Sequence, residues 1–102
     1  MDANSRVAAL PGVVADEFVF ADAPFRQCHA STIEEGSRGL VCAWFAGSHE
    51  SHPDVGIWLS RREGEGWTPP VRVAAGEGHP CWNPVLFQAK AGPLLLFFKV
   101  GP

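Results

Sequence analysis

One hundred and two residues, 11.0 kDa in all, give room for one small domain and exclude most elaborate enzyme folds. Apolar residues at 46% against 19% charged are core-forming material, which excludes a disordered tail. A net charge of -3 without any cluster of Lys and Arg supplies no field for phosphate backbones, so nucleic acid is not an expected partner.

From Met1 to Phe20 the chain carries Arg6, then a mildly apolar stretch broken by Pro11 and Gly12, then Asp16 and Glu17. Neither a signal h-region nor a targeting helix has that layout, and no apolar run approaches the roughly 20 residues of a membrane span. No membrane partner is expected, and the protein reads as cytoplasmic. Eleven Gly and nine Pro beside seven Phe, four Trp and no Tyr favour short strands joined by tight turns. Residues 1–22 read as a lead segment with a first strand, since Glu17-Phe18-Val19-Phe20 has strand composition. Pro24 interrupts it before a second extended segment from Arg26 to Ile33, and Glu34 to Gly39 is a polar, glycine-bearing turn. Leu40-Val41-Cys42-Ala43-Trp44-Phe45 is a continuous apolar run that suits a strand covered on both faces by neighbouring sheets. Gly47 to Pro53 has loop composition. Asp54 to Ser60 is a strand with Val55, Ile57 and Leu59 on one face and Trp58 on the other. Arg61 to Gly66 turns the chain, and Trp67 to Ala74 resumes it as an edge strand containing Pro69 and Pro70. Cys28, Cys42 and Cys81 are odd in number and lack C-x-x-C spacing. They read as buried thiols in a reducing compartment, not as a disulfide framework or zinc ribbon.

The pattern then starts again. An ungapped offset of 54 residues lays Leu40 on Leu94, Gly47 on Gly101 and His29 on Asn83, and places Leu40 to Phe45 on Leu94 to Lys99. A period near 50 residues with four strands per unit is the signature of a β-propeller blade.

The turn Ser60-Arg61-Arg62-Glu63-Gly64-Glu65-Gly66-Trp67 resembles the Asp-box of sialidase-type propellers, S-x-D-x-G-x-T-W. Ser60, Gly64 and Trp67 match; Arg62 stands in place of Asp and Gly66 in place of Thr. With Phe25 to Ile33, Ala43 to Gly47, His49-Glu50, Asp54 to Ser60 and Cys81 to Phe87, the chain looks like the first blades of the sialidase-like, BNR/Asp-box family of the neuraminidase superfamily. The resemblance implies an all-β fold, with residues 23–102 supplying about two four-stranded antiparallel blades of a six-bladed propeller. The chain would then be an N-terminal fragment of a glycan-acting glycoside hydrolase, inactive alone. A non-catalytic carbohydrate-binding propeller piece, or part of a propeller polysaccharide lyase, is the alternative.

In sialidases an arginine triad grips the sugar carboxylate, a Tyr/Glu pair supplies the nucleophile and an Asp serves as acid and base. Phe25-Arg26 resembles the opening of the F/Y-R-I-P motif that carries the first triad arginine, although Gln27-Cys28 departs from it. A guanidinium is the right group for a carboxylate; an ordinary structural ion pair would explain Arg26 as well. The acid-base Asp is expected in the loop between the first and second strands of the blade, with Glu50 and Asp54 as the carboxylates available, and Asp54 reads equally as a loop cap. His29 is a candidate proton carrier, paired through the repeat with Asn83 as a ligand for a sugar hydroxyl. Lys99 interrupts an apolar strand and either faces the axial cavity or snorkels from an edge. His49-x-x-His52 reads as solvated, so no metal and no cofactor is expected. The expected partner is an acidic sugar or glycan. The apolar strand Pro93 to Val100 predicts self-association.

Overall fold

The computed structural model describes residues 9–102, all-β and without a helix among them; Met1 to Ala8, with Arg6, lie outside the described residues. Seven strands follow in chain order: β1 (Gln27–Gly36), β2 (Gly39–Gly47), β3 (Gly56–Glu63), β4 (Gly66–Trp67), β5 (Val71–Ala74), β6 (Cys81–Gln88) and β7 (Leu94–Val100). Strands β1, β2 and β3 pair in sequence, every pair antiparallel, and β4 and β5 both lie along β3. Strands β6 and β7 form a separate hairpin. The first unit is therefore a full sheet, and the second is represented by its first two strands. Glu17 to Phe20, by contrast, form no strand.

Strand β2 explains the arrangement. Its six residues Val41 to Ala46 are all buried, as a strand with two covered faces requires. Val41, Ala43 and Phe45 join Val55 and Ile57 of the sheet with Cys81 and Leu86 in one cluster, so this face is covered by the β6–β7 hairpin. Cys42, Trp44 and Ala46 form a second cluster against Val19, Phe20, Phe25, Trp58 and Trp67. The second cover is thus the non-strand lead, not a sheet. The lead segment fails as a strand because Asp22 and Pro24 follow it closely and its apolar rings are taken up in aromatic contacts: Phe20 lies 5.3 Å from Phe25 and 5.1 Å from Trp44.

Pro69 and Pro70 separate β4 from β5 on the sheet edge, where their missing N–H groups cost no ladder bond. Thr68 bridges the gap: its N–H donates to Arg61 O (2.9 Å) and its hydroxyl accepts from Arg61 N (2.9 Å). Close approach also fixes Gly56, where an added Cβ would fall 2.6 Å from Ala74 O and 2.8 Å from Arg72 Cδ.

The two units repeat, with a correction to the ungapped alignment. Both first strands carry a bulge, between His29 and Thr32 and between Trp82 and Val85. Ala30 (φ 56°) and Asn83 (φ 47°) hold the same left-handed position in it. First strands therefore correspond at 53 residues and second strands at 54, as the pairs Glu35–Leu40 and Gln88–Leu94 require. The extra residue sits in the longer β6–β7 turn. His29 thus corresponds to Trp82, and Asn83 to Ala30, contrary to the pairing of His29 with Asn83.

Ile57 is fully buried in register with Phe45 and Ala74. Ile57→Ala is expected to cost about 2–5 kcal/mol in urea unfolding, whereas Ile33→Ala, at an exposed position, should stay within roughly 0.5 kcal/mol.

Candidate functional site

The ends of β1, β2 and β3 nearest the lead enclose a cleft of about 200 Å³. Arg26 and Phe25 enter it from the lead, Ser48 and Asp54 from the β2–β3 loop, Trp58 from β3 and Arg72 from β5. Backbone pairing holds the floor: Arg26 N–H donates to Gly47 O at 3.2 Å, continuing the β1–β2 ladder by one residue.

The loop from Ser48 to Val55 connects β2 to β3. The connection between the first and second strands is instead the tight Ser37–Arg38 turn, which contains no carboxylate, so the expected place for an acid-base Asp is empty of one. Asp54 is a loop brace. Its Oδ1 accepts from Ser48 N–H at 3.0 Å, and its Oδ2 accepts from the Ser48 hydroxyl. His52 Nδ1 lies 2.8 Å from Asp54 Oδ1 and 3.0 Å from Asp54 N. That nitrogen accepts from the backbone when the ring is neutral and donates to the carboxylate when the ring is protonated; it cannot do both at once. The Ser48 hydroxyl and amide, with a smaller contribution from His52, hold the Asp54 carboxyl below its usual range. Gly47 is needed beside it, since a Cβ there would lie 2.5 Å from Asp54 Oδ1 and 2.9 Å from Val55 Cα.

Arg26 and Arg72 make no ion pair or side-chain hydrogen bond among the described residues, where the two ion pairs are His52–Asp54 and Arg62–Glu17. Two guanidiniums from different elements thus line one cleft without a carboxylate partner. Arg72 escapes a reading of the sequence because Val-Arg-Val-Ala looks like plain strand. The available signal was its cross-strand partner Trp58, which puts it on the aromatic face next to a glycine that leaves room for its stem.

The remaining candidates lie elsewhere. Glu50 is exposed and does not line the cleft; its N–H lies 3.4 Å from Gln27 Oε1 at the start of β1. The His29 ring lies 5.5 Å from Phe45, and Phe45 lies 5.7 Å from Trp82. Lys99 Nζ sits 5.5 Å over the Trp82 ring, a cation–π contact, while Trp82 Nε1 donates to Gly101 O at 2.7 Å. Asn83 occupies the β6 bulge and is exposed. His49 and His52 stack edge to face at 5.0 Å, with His49 Nδ1 2.8 Å from Glu50 O. All three cysteines are free; Cys42 and Cys81 are buried and raised by desolvation, whereas Cys28 is exposed, contrary to the expectation for all three.

At the β3–β4 turn, Arg62 inverts the polarity of the Asp-box position. Its Nη1 donates to Gly64 O (2.6 Å) and Gly66 O (3.3 Å), and its Nε donates to Glu17 Oε1 (2.8 Å). A carboxylate could only have accepted from N–H groups there.

A stacked pair of antiparallel units, with a box-like turn between third and fourth strands and matching bulges in its first strands, defines an all-β repeat protein. A model of BNR repeat-like domains matches residues 38–102, and the chain belongs to that sialidase-like family. No curated protein and no solved structure matches it.

Because the fold favours ionised Asp54, its contribution is complete above the ordinary value of 3.8 and is lost as pH falls through the lower folded value. The Ser48 amide resonance is expected to follow that acid titration in the native protein and to lose it in Asp54→Asn. An amide shift indifferent to pH would remove the brace.

Proposed function

We propose that the chain supplies successive units of a sialidase-like β-propeller and that the cleft between Arg26 and Arg72 binds the carboxylate of an acidic glycan. The observation that carries this reading is the pair of unpartnered guanidiniums converging from the lead and from β5 on one cleft. A planar guanidinium matches a carboxylate with two parallel hydrogen bonds, and Phe25 and Trp58 beside the arginines offer apolar and stacking surface to a sugar ring.

Binding without hydrolysis is the activity these residues favour. The chain contains no Tyr to serve as the nucleophile of sialidase chemistry. Asp54 is engaged on both oxygens by its own loop and held ionised, a poor arrangement for an acid that must deliver a proton at neutral pH. His29 at the start of β1, Asn83 at the start of β6 and Lys99 at the end of β7 remain candidates for contacts to a longer glycan.

Free sialic acid should shift the Trp58 and Ser48 resonances, and its methyl ester, which lacks the charge, should bind far less. Loss of one charge-assisted bidentate contact is worth about 1.5–3 kcal/mol, so Arg26→Ala and Arg72→Ala should each weaken binding by roughly 10- to 100-fold. Equal binding of acid and ester, or indifference to both substitutions, would overturn the assignment. The purified 102-residue protein is expected to leave a fluorogenic sialoside intact.

A further inference from the structure

Among the described residues lining the Arg26–Arg72 cleft, Asp54 is the one carboxylate, and a histidine outside the lining stands against it. His52 Nδ1 lies within hydrogen-bond reach of two atoms of Asp54, the carboxylate Oδ1 at 2.8 Å and the backbone N at 3.0 Å. Neither residue is free to swing away. Consecutive turns fix the loop backbone, with His52 N–H donating to His49 O at 3.1 Å and Val55 N–H to His52 O at 3.0 Å. The Ser48 amide and hydroxyl hold the Asp54 carboxylate in place. With Nδ1 accepting from Asp54 N–H the ring is neutral, and the carboxylate carries its full negative charge into the cleft. On protonation Nδ1–H donates to Oδ1 instead, and the ion pair offsets that charge.

We propose that His52 is a pH switch for the cleft: its protonation offsets the Asp54 charge, so that an anionic ligand held by Arg26 and Arg72 binds more tightly as pH falls. The switch rests on the reading of this cleft as a carboxylate site. Histidine is the side chain that changes charge between about pH 5 and 8. Asp54 stays ionised through that window, because the Ser48 hydroxyl and amide hold its carboxyl below the ordinary range. The imidazole is therefore the member of the pair that changes. In the loop, the other titratable groups are His49, whose ring stacks on His52 at 5.0 Å, and Glu50, which does not line the cleft. From the lead and β5 come Arg26 and Arg72, cationic throughout. Strand β6 reaches the loop through Cys81 N–H, which donates to Val55 O at 3.0 Å, and burial keeps the Cys81 thiol neutral. Glu77 and His79, in the β5–β6 connection, are exposed and make no ion pair among the described residues. By linkage, a bound carboxylate favours the protonated ring by the same factor that protonation favours the carboxylate.

Calorimetric titration of the native protein with free sialic acid at about pH 8 and about pH 5.5 tests the switch, since the ligand stays ionised over that range. One added charge about 7 Å from the ligand, in a dielectric between surface protein and water, should raise affinity roughly three- to eightfold at low salt. His52→Asn places an amide oxygen where Nδ1 stood, keeps an acceptor for Asp54 N–H and cannot be protonated. It should match the native affinity at the higher pH and lose the rise. His49→Asn should keep it. In the native protein, saturating sialic acid should also move the His52 ring titration, followed by NMR, to higher pH by the same factor; this readout needs no variant. Equal native affinity at both pH values, or a rise that survives in His52→Asn, overturns the switch and leaves the Arg26–Arg72 reading standing. A rise lost in His49→Asn and kept in His52→Asn assigns it to His49 and overturns the proposal as well. Absence of binding at either pH overturns the carboxylate site itself and the switch with it.

Discussion

Everything in this molecule depends on covering both faces of β2. Six consecutive buried residues, Val41 to Ala46, cannot be sheltered by a single sheet partner. Burying a large apolar side chain is worth about 1.5–3 kcal/mol, so exposing either face of Val41, Trp44 and Phe45 would forfeit several kcal/mol. The sequence meets that demand twice over, with a repeated hairpin on one side and a lead of another kind on the other.

The two covers differ in chemistry. The hairpin side combines apolar packing with polar ties from Thr32 and Glu34 to the outward N–H groups of β6, so edge donors of that strand are satisfied. The lead side is held mainly by aromatic packing. Beneath it the indole N–H groups of Trp44, Trp58 and Trp67 and the Ser60 hydroxyl make no hydrogen bond among the described residues. The lead's charged tie is Glu17 to Arg62. This accounts for Arg62 at a box position that takes Asp in the family pattern: an acid there would repel Glu17 and could not hold the turn carbonyls of Gly64 and Gly66. The change at the turn and the use of the lead as a cover are two parts of one arrangement.

Strands were legible where period and burial agreed. The continuous run of β2 and the alternation of Val55, Ile57 and Leu59 against Trp58 appear where composition placed them, whereas Pro69 and Pro70, expected within one edge strand from Trp67 to Ala74, divide that edge into β4 and β5. Glu17 to Phe20 has strand composition yet no strand partner: the same apolar residues that favour a strand serve as well to pack rings on Trp44, and composition cannot separate the two. Likewise Cys28 shares a strand with no run of buried neighbours, and its exposure follows from its place at the sheet edge.

The site was less legible because a bulge breaks the rule that alternate residues share a face. His29 pairs with Phe45 and Thr32 with Ala43, so residues three apart sit on the same side of β1, an arrangement that strict alternation forbids. Reading through the bulge without a shift slides His29 onto Asn83, whereas the left-handed residues Ala30 and Asn83 are the true equivalents. Asn accepts that conformation readily and Ala does not, so the strain at Ala30 is held by the ladder on either side of it. Since the same bulge recurs in β6 with a different residue, it is a property of the unit and not of one side chain. Its effect is to set His29 and Trp82 at matching places at the start of their strands. Arg26, one residue before β1, meets Arg72 from β5 only through the sheet pairing of β1, β2 and β3. Contacts of that kind lie between elements, beyond the reach of any periodicity along the chain.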